Sequence, residues 1–262
     1  MGVRAVAPAS LTTVFVPRAD EAEGSLGVSF ALADGVTVTS SQSSTTTVTV
    51  AGEQTDFEPV ENVLEELGVT ATVEIETDVP IGRGFGASGA ATLATALSVW
   101  RLYDLDASRD GIVRAAHRAE LRAGTGQGDV FVQERGGLVF NTGDGIGHRS
   151  RSDPIEYTSV GPISTPDLLE DEDALDRIGA AGRTALDRFR PDVELEDWFS
   201  VAWEFTIRSG LQTGRVTETV RSVESAGGSA TMAMVGETVV ASGVEGVLDT
   251  RTRLSDSGAR LL

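Results

Sequence analysis

His117, Glu120 and Asp129 fall within thirteen residues of one another, in Ala116-His117-Arg118-Ala119-Glu120-Leu121-Arg122-Ala123-Gly124-Thr125-Gly126-Gln127-Gly128-Asp129. Residues three apart on a helix share a face, so His117 and Glu120 project together. Asp129 follows a Gly-Thr-Gly-x-Gly turn that can deliver a short carboxylate into a cleft. One carboxylate that holds a divalent cation and another beside a hydroxyl are the parts a phosphoryl-transfer site needs once an anion cradle is added. Each has a plainer reading. Glu120 can be a solvated or arginine-paired helix residue, and Asp129 can cap the helix begun by Val130-Phe131-Val132 while also doing chemistry.

The cradle is Pro80-Ile81-Gly82-Arg83-Gly84-Phe85-Gly86-Ala87-Ser88-Gly89-Ala90, between a strand-like and a helix-like run. Glycines admit close backbone approach to an anion, and a following helix start offers free amides and the positive end of its dipole. A nucleotide is the first ligand to consider. Gly84 to Gly89 also spells G-x-G-x-x-G, with Asp104 or Asp106 downstream, as in dinucleotide-binding folds. The preceding strand argues against that reading, because Val69, Ala71, Val73 and Ile75 alternate with Thr70, Thr72, Glu74 and Glu76, whereas a central parallel strand is apolar on both faces.

All 21 basic residues are arginine, so the lysine of a phosphate-loop NTPase has no candidate and lysine Schiff-base chemistry is excluded. There is no cysteine, and His117 and His148 are the only histidines, which argues against thiolate chemistry and multi-histidine zinc sites. Forty acidic residues give a net charge of −19, which disfavours nucleic acid and anionic membranes as partners. An acidic, lysine-free surface resembles that of proteins from organisms with molar intracellular salt, where screening shortens to about 3 Å. The absence of a leader-like segment and of an apolar run near ~18 residues leads us to expect a cytoplasmic protein.

These residues must be positioned by an α+β chain. Strands are expected near Arg4–Ala7, Thr12–Val16, Gly27–Leu32, Val36–Ser40 and Thr45–Val50, with Asp34-Gly35 as a hairpin turn. A helix from Pro59 to Leu67 ends at Gly68. Ala90 to Trp100 is apolar nearly all round and reads as a buried helix. Ser108 opens a helix that runs to Arg122, and Gly136-Gly137-Leu138-Val139-Phe140 reads as turn and strand. Beyond an acidic linker near Asp167–Asp173 come helices bearing Leu175 to Phe189 and Leu195 to Thr206, a helix from Gly214 to Ala226, and a hairpin pairing Thr231–Val235 with Val239–Ala241. Two cores are expected, over residues 1–152 and 153–262.

The glycine loop resembles the second motif of the GHMP kinases, Pro-x-x-x-Gly-Leu-Gly-Ser-Ser-Ala-Ala, with conservative changes. The variant Gly-Phe-Gly-Ala-Ser-Gly-Ala, the His117 to Asp129 run, the Gly136-Gly137-Leu138-Val139 strand and Ala230-Thr231-Met232-Ala233-Met234-Val235-Gly236 are similar to the archaeal pantoate-phosphorylating branch of that family. The resemblance implies an S5-like amino-terminal domain, a ferredoxin-like carboxyl-terminal domain and an ATP- and Mg²⁺-dependent kinase. Pro80, Gly82, Arg83, Gly84, Phe85, Gly86, Ala87, Ser88, Gly89 and Ala90 would bind the nucleotide. Ser88 and Glu120 would serve Mg²⁺, Asp129 would orient or deprotonate the acceptor hydroxyl, and Ser25, His117 and Asn141 would lie on the acceptor side. Met232 to Gly236 is either the third glycine-rich motif or a plain core strand. A homodimer is compatible with this reading.

Two departures fall on the acceptor side. The first family motif, Pro-Gly-His-x-Ser/Thr-Gly-Phe-Phe, is here Pro8-Ala9-Ser10-Leu11-Thr12-Thr13-Val14-Phe15, and Asn141 stands where the family carries an arginine. Losing that guanidinium removes about 1.5–3 kcal/mol of charge-assisted bonding to a carboxylate. Arg149 or Arg151 is expected to replace it if the loop after Phe140 folds back. The expected activity is phosphorylation of a primary hydroxyl on a small hydroxy acid, best matched by pantoate on the way to coenzyme A. The alternatives are another small alcohol as acceptor, or a nucleotide-binding regulator without catalysis.

Overall fold

The computed structural model describes residues 2–17, 24–126, 128–162, 172–234 and 236–262. Two long strands dominate its first half, β1 (Val3–Val16) and β2 (Leu26–Gln42), paired antiparallel. With β3 (Thr47–Val50), β4 (Glu53–Gln54), β5 (Ala71–Thr77), β6 (Leu138–Asn141), β7 (Ile146–Arg149) and β12 (Arg260–Leu261) they form one eight-stranded sheet. Its main order is β12-β1-β2-β5-β3-β4, with β6 on β2 and β7 on β6. In β5 the alternation is realised: Ala71, Val73 and Ile75 are buried, while Glu74 and Glu76 are exposed.

The hairpin expected at Asp34-Gly35 is absent, and β2 runs straight through it. Gly35 is opposite Pro8, beside a register shift between Pro8 and Ser10. A Cβ on Gly35 would lie 2.3 Å from the Ala7 carbonyl oxygen. The glycine therefore serves close strand approach at a bulge rather than a turn. That bulge also lets β1 continue through Pro8, so the two short strands expected there are one.

Helices α1 (Glu58–Glu66), α2 (Ala87–Leu102), α3 (Arg109–Ala123) and α4 (Asp129–Arg135) belong to this half. All residues of α2 from Gly89 to Val99 are buried, and the helix packs against β1, β2, α1 and α3. Ser108 caps α3, accepting from the Gly111 amide, and Gly124 ends it in the left-handed conformation.

A second sheet, ordered β11-β8-β10-β9, is built from β8 (Pro154–Pro162), β9 (Ser229–Ala233), β10 (Gly236–Ser242) and β11 (Thr250–Arg253), all antiparallel. With it come α5 (Glu172–Arg188), α6 (Leu195–Ser209) and α7 (Gly214–Ser225). Most of the acidic linker expected at 167–173 lies outside the described residues. Bridges from Thr12 to Met234 and from Leu32 to Leu254 join the sheets, and the chain end returns to the first sheet as β12. Buried Trp198 on α6 donates its indole N–H to Thr13 Oγ1 of β1 at 2.9 Å. The apolar interior is continuous across the junction.

Candidate active site

Gly86 adopts the left-handed conformation (φ 58°) immediately before α2, and the first bond within that helix is from the Ala90 amide to the Gly86 carbonyl. The amides of Ala87, Ser88 and Gly89 precede it and are the donors a phosphate can use. The helix thus begins three residues earlier than its apolar pattern indicated. Ala90, expected among the nucleotide contacts, has its amide inside the helix and its side chain buried. Pro80 and Gly82 are exposed, Arg83 is half-buried, and Phe85 is buried against Tyr157 with ring centroids 4.7 Å apart.

The β9–β10 hairpin supports this loop from below. Thr238 Oγ1 donates to the Arg83 carbonyl at 2.7 Å, and a Cβ on Gly236 would fall 2.2 Å from the same oxygen. On Gly84, a Cβ would be 3.1 Å from the Ala233 carbonyl oxygen. The Met232 to Gly236 segment is therefore a buttress of the loop and not only a core strand; Val235 lies outside the described residues.

Glu120 is 2 % exposed and faces the start of α2. Its Oε1 accepts from Ser88 Oγ at 2.9 Å and Thr92 Oγ1 at 2.8 Å, and its Oε2 accepts from Thr125 Oγ1 at 3.0 Å. The arginine-paired alternative is ruled out, since the bonding partners of this carboxylate among the described residues are hydroxyls alone. Burial is the largest influence and pushes its pKa to about 7; the hydroxyls of Thr92, Ser88 and Thr125 pull it down, and the charge of Asp129 adds to the rise. A buried carboxylate bonded to hydroxyls and placed near three helix-start amides is a hard oxygen site suited to a small divalent cation with phosphates.

Asp129 is the first residue of α4, and its Oδ1 accepts from Ser10 Oγ at 2.7 Å and more weakly from Thr12 Oγ1 at 3.5 Å. Thr12 Oγ1 is in turn 2.8 Å from Ser29 Oγ. Burial raises the Asp129 pKa above the ordinary carboxylate value, opposed by the Ser10 and Thr12 hydroxyls and by the charge of His117. A Cβ on Gly126 would lie 3.0 Å from Glu120 Oε2 and 3.5 Å from Asp129 Oδ2, so the two carboxylates border one small space.

On the acceptor side, buried His117 contacts Phe131, ring centroids 4.6 Å apart. Ser25 comes beside Gly128, where a Cβ would be 4.0 Å from the Ser25 nitrogen. Buried Asn141 pairs with Gly27, and its Oδ1 accepts from the Gly143 amide at 3.0 Å, shaping the turn after β6. Neither arginine takes the place of the missing cation. Arg151 is held by Asp153 and the Val193 carbonyl, while Arg149 is exposed and opposite Leu138, at the far end of β6 from Asn141.

Thr92, Thr125, Gln133 and the hydroxyl of Ser10 were not anticipated as parts of the site. Thr92 has a local signal, since it is four residues after Ser88 on one helix face. Gln133 has the same spacing from Asp129 on α4, but its bond to Gly86, like that of Ser10 to Asp129, exists only through the packing of β1 and α4 against α2.

Residues 57–137 match the family described as GHMP kinases N terminal domain. The chain belongs to the GHMP kinases and is a phosphotransferase acting on a hydroxyl group. It is 30% identical over 249 residues to the pantoate kinase of Thermococcus kodakarensis, covering 86% of this chain and 81% of the relative. With the pantoate kinase of Methanospirillum hungatei it shares 27% identity over 257 residues, covering 92% and 87%. A solved structure titled phosphotransferase related to CoA biosynthesis pathway has the same fold, with a TM-score of 0.83 at 24% identity over 100% of this chain and 98% of the other.

Proposed function

We propose that the chain transfers the γ-phosphoryl group of ATP to the primary hydroxyl of pantoate, giving 4-phosphopantoate for coenzyme A synthesis. The observation that carries this reading is the convergence of Glu120 and Asp129 on Gly126, beside the free amides that open α2. Relatives called pantoate kinase over most of the chain supply the acceptor.

The amides of Ala87, Ser88 and Gly89, with Arg83 as the loop's cation, bind the phosphates. Among the described residues no cluster of three metal-ligating side chains occurs, which suits Mg²⁺, an ion usually held by one or two protein groups together with substrate phosphates. Ser88 and Glu120 would hold Mg²⁺, which supplies positive charge against the phosphate oxygens when bound. Because the Ser10 and Thr12 hydroxyls occupy Oδ1 of Asp129, Oδ2 receives the acceptor's proton as its oxygen attacks the γ-phosphorus. A base with a raised pKa is better matched to neutral pH than an ordinary aspartate. His117 and Ser25 orient the acceptor.

We place the working enzyme in the cytoplasm of a cell with molar salt, on the strength of the −19 charge and the absence of lysine. No helix among the described residues is long and apolar enough to cross a membrane. The test is Asp129→Asn in molar KCl. Retained ATP binding with phosphopantoate formation lowered by about a hundredfold or more is expected for a general base. Unchanged turnover would contradict the assignment.

A further inference from the structure

We propose that Gln133 is a positioning residue: its amide fixes the direction of the Ser10 hydroxyl and ties Asp129 to the Gly86 turn of the phosphate loop. The inference rests on the kinase reading and assigns a role to a residue that does not touch either substrate.

Gln133 lies one helical turn after Asp129 on α4 and is wholly buried. Its Nε2 donates to the Gly86 carbonyl at 2.7 Å and to Ser10 Oγ at 3.3 Å. An amide nitrogen carries two hydrogens and cannot accept, so both are assigned and the Ser10 hydrogen has no partner on Gln133. It is directed to Asp129 Oδ1, 2.7 Å away. The opposite amide orientation would set Gln133 Oε1 against the Gly86 carbonyl oxygen, two acceptors with no hydrogen between them. Ser10 is held at a second point, since its backbone amide donates to the Phe85 carbonyl at 2.9 Å. Gln133 is therefore a double donor, one hydrogen going to the Gly86 carbonyl and the other to Ser10, which passes its own hydrogen on to Asp129.

Gln133 Oε1 is buried without a hydrogen-bond partner, and a Cβ on Gly89 would come within 3.0 Å of it. An unpaired buried acceptor is a cost that a leucine or methionine of similar size would not carry. What offsets that cost is the pair of bonds that Nε2 donates. The arrangement couples the two halves of the reaction: a displacement of the Gly86 turn moves the group that aims Asp129.

The experiment compares Gln133→Leu, Gln133→Glu, Ser10→Ala and the pair Ser10→Ala with Gln133→Leu, in the full chain. It measures ATP affinity by calorimetry without acceptor, and kcat at saturating ATP and pantoate. We expect Gln133→Leu and Ser10→Ala each to lower kcat by about tenfold or more, ATP affinity to stay within about threefold, and the pair to be no slower than its worse member. Gln133→Glu should also lower kcat by about tenfold or more, since a carboxyl group carries at most one hydrogen and cannot donate to both the Gly86 carbonyl and Ser10. Multiplying losses in the pair, or wild-type kcat in Gln133→Leu, would overturn the proposal. If Gln133→Leu does not fold, Gln133→Glu and Ser10→Ala decide by the same comparison with wild type. Wild-type protein that binds ATP but phosphorylates no acceptor would instead overturn the kinase reading and the proposal with it.

Discussion

Ser10 Oγ lies 2.7 Å from Asp129 Oδ1, joining two residues 119 positions apart across the β1–α4 contact. Ser10 occupies the position where the GHMP motif carries histidine. The departure in the first motif therefore supplies a neutral hydroxyl donor to the acceptor-side carboxylate. Asp129 keeps a bonded Oδ1, and that bond opposes the rise in its pKa caused by burial.

Glu120 sets a pH dependence. Its pKa is near 7 in the folded protein against 4.5 for the ordinary group. The folded state then binds more protons than the unfolded state between those values, so the ligand-free protein loses stability as pH rises from 4.5 to 7. The loss from this group is about 3 kcal/mol at 1.36 kcal/mol per pH unit. Glu120→Gln should flatten this slope and raise the melting temperature at pH 8, while abolishing Mg²⁺-dependent turnover. Melting curves from pH 5 to pH 8 for both proteins are the check.

Gly86→Ala should damage the site through the backbone and through contact. The residue is at φ 58°, and a Cβ would lie 2.0 Å from Ser10 Oγ and 2.9 Å from Gln133 Nε2. The backbone conformation alone costs about 1–3 kcal/mol for a non-glycine residue. We expect a lower melting temperature and ATP affinity reduced at least tenfold, measured by calorimetry.

Trp198→Phe separates fold from chemistry. It removes the indole donor to Thr13 while keeping an aromatic ring against Phe189, whose centroid is 5.0 Å away. Leaving buried Thr13 with one partner fewer should cost about 1–3 kcal/mol in unfolding free energy, with ATP affinity unchanged. Urea unfolding in molar KCl, paired with calorimetry, tests both halves of that statement.

Asn141→Asp tests the acceptor's charge. The substitution keeps an oxygen for the Gly143 amide and adds a negative charge where the family carries arginine. KM for a carboxylate acceptor should rise by about tenfold or more, while KM for ATP is unchanged. Equal effects on a neutral alcohol would show that this side chain does not face the acid group.

What the sequence made legible follows the range of the interactions. The glycine loop, α2 and α3 were readable because glycine spacing, apolar periodicity and residue type act within one or two turns. The Ser88–Glu120 bond joins residues 32 apart on two helices, and those two residues were brought together only by the resemblance to the GHMP kinases. Asp34-Gly35 misled because the same dipeptide that favours a turn also permits the close strand approach that the Pro8–Ser10 bulge requires. The expected cation at Arg149 or Arg151 failed for a related reason: β6–β7 register places Arg149 opposite Leu138, which residue type cannot reveal. The bonds of Ser10 to Asp129 and of Gln133 to Gly86 arise only through tertiary packing, which neither the altered first motif nor the four-residue spacing of Gln133 from Asp129 reveals.

The most direct test is phosphorus NMR of wild-type protein with ATP, Mg²⁺ and pantoate in molar KCl, beside a panel of other small hydroxy acids and alcohols. The account predicts a phosphomonoester on the primary hydroxyl of pantoate with stoichiometric ADP. ATP binding without transfer to pantoate, or transfer to another acceptor alone, would contradict it.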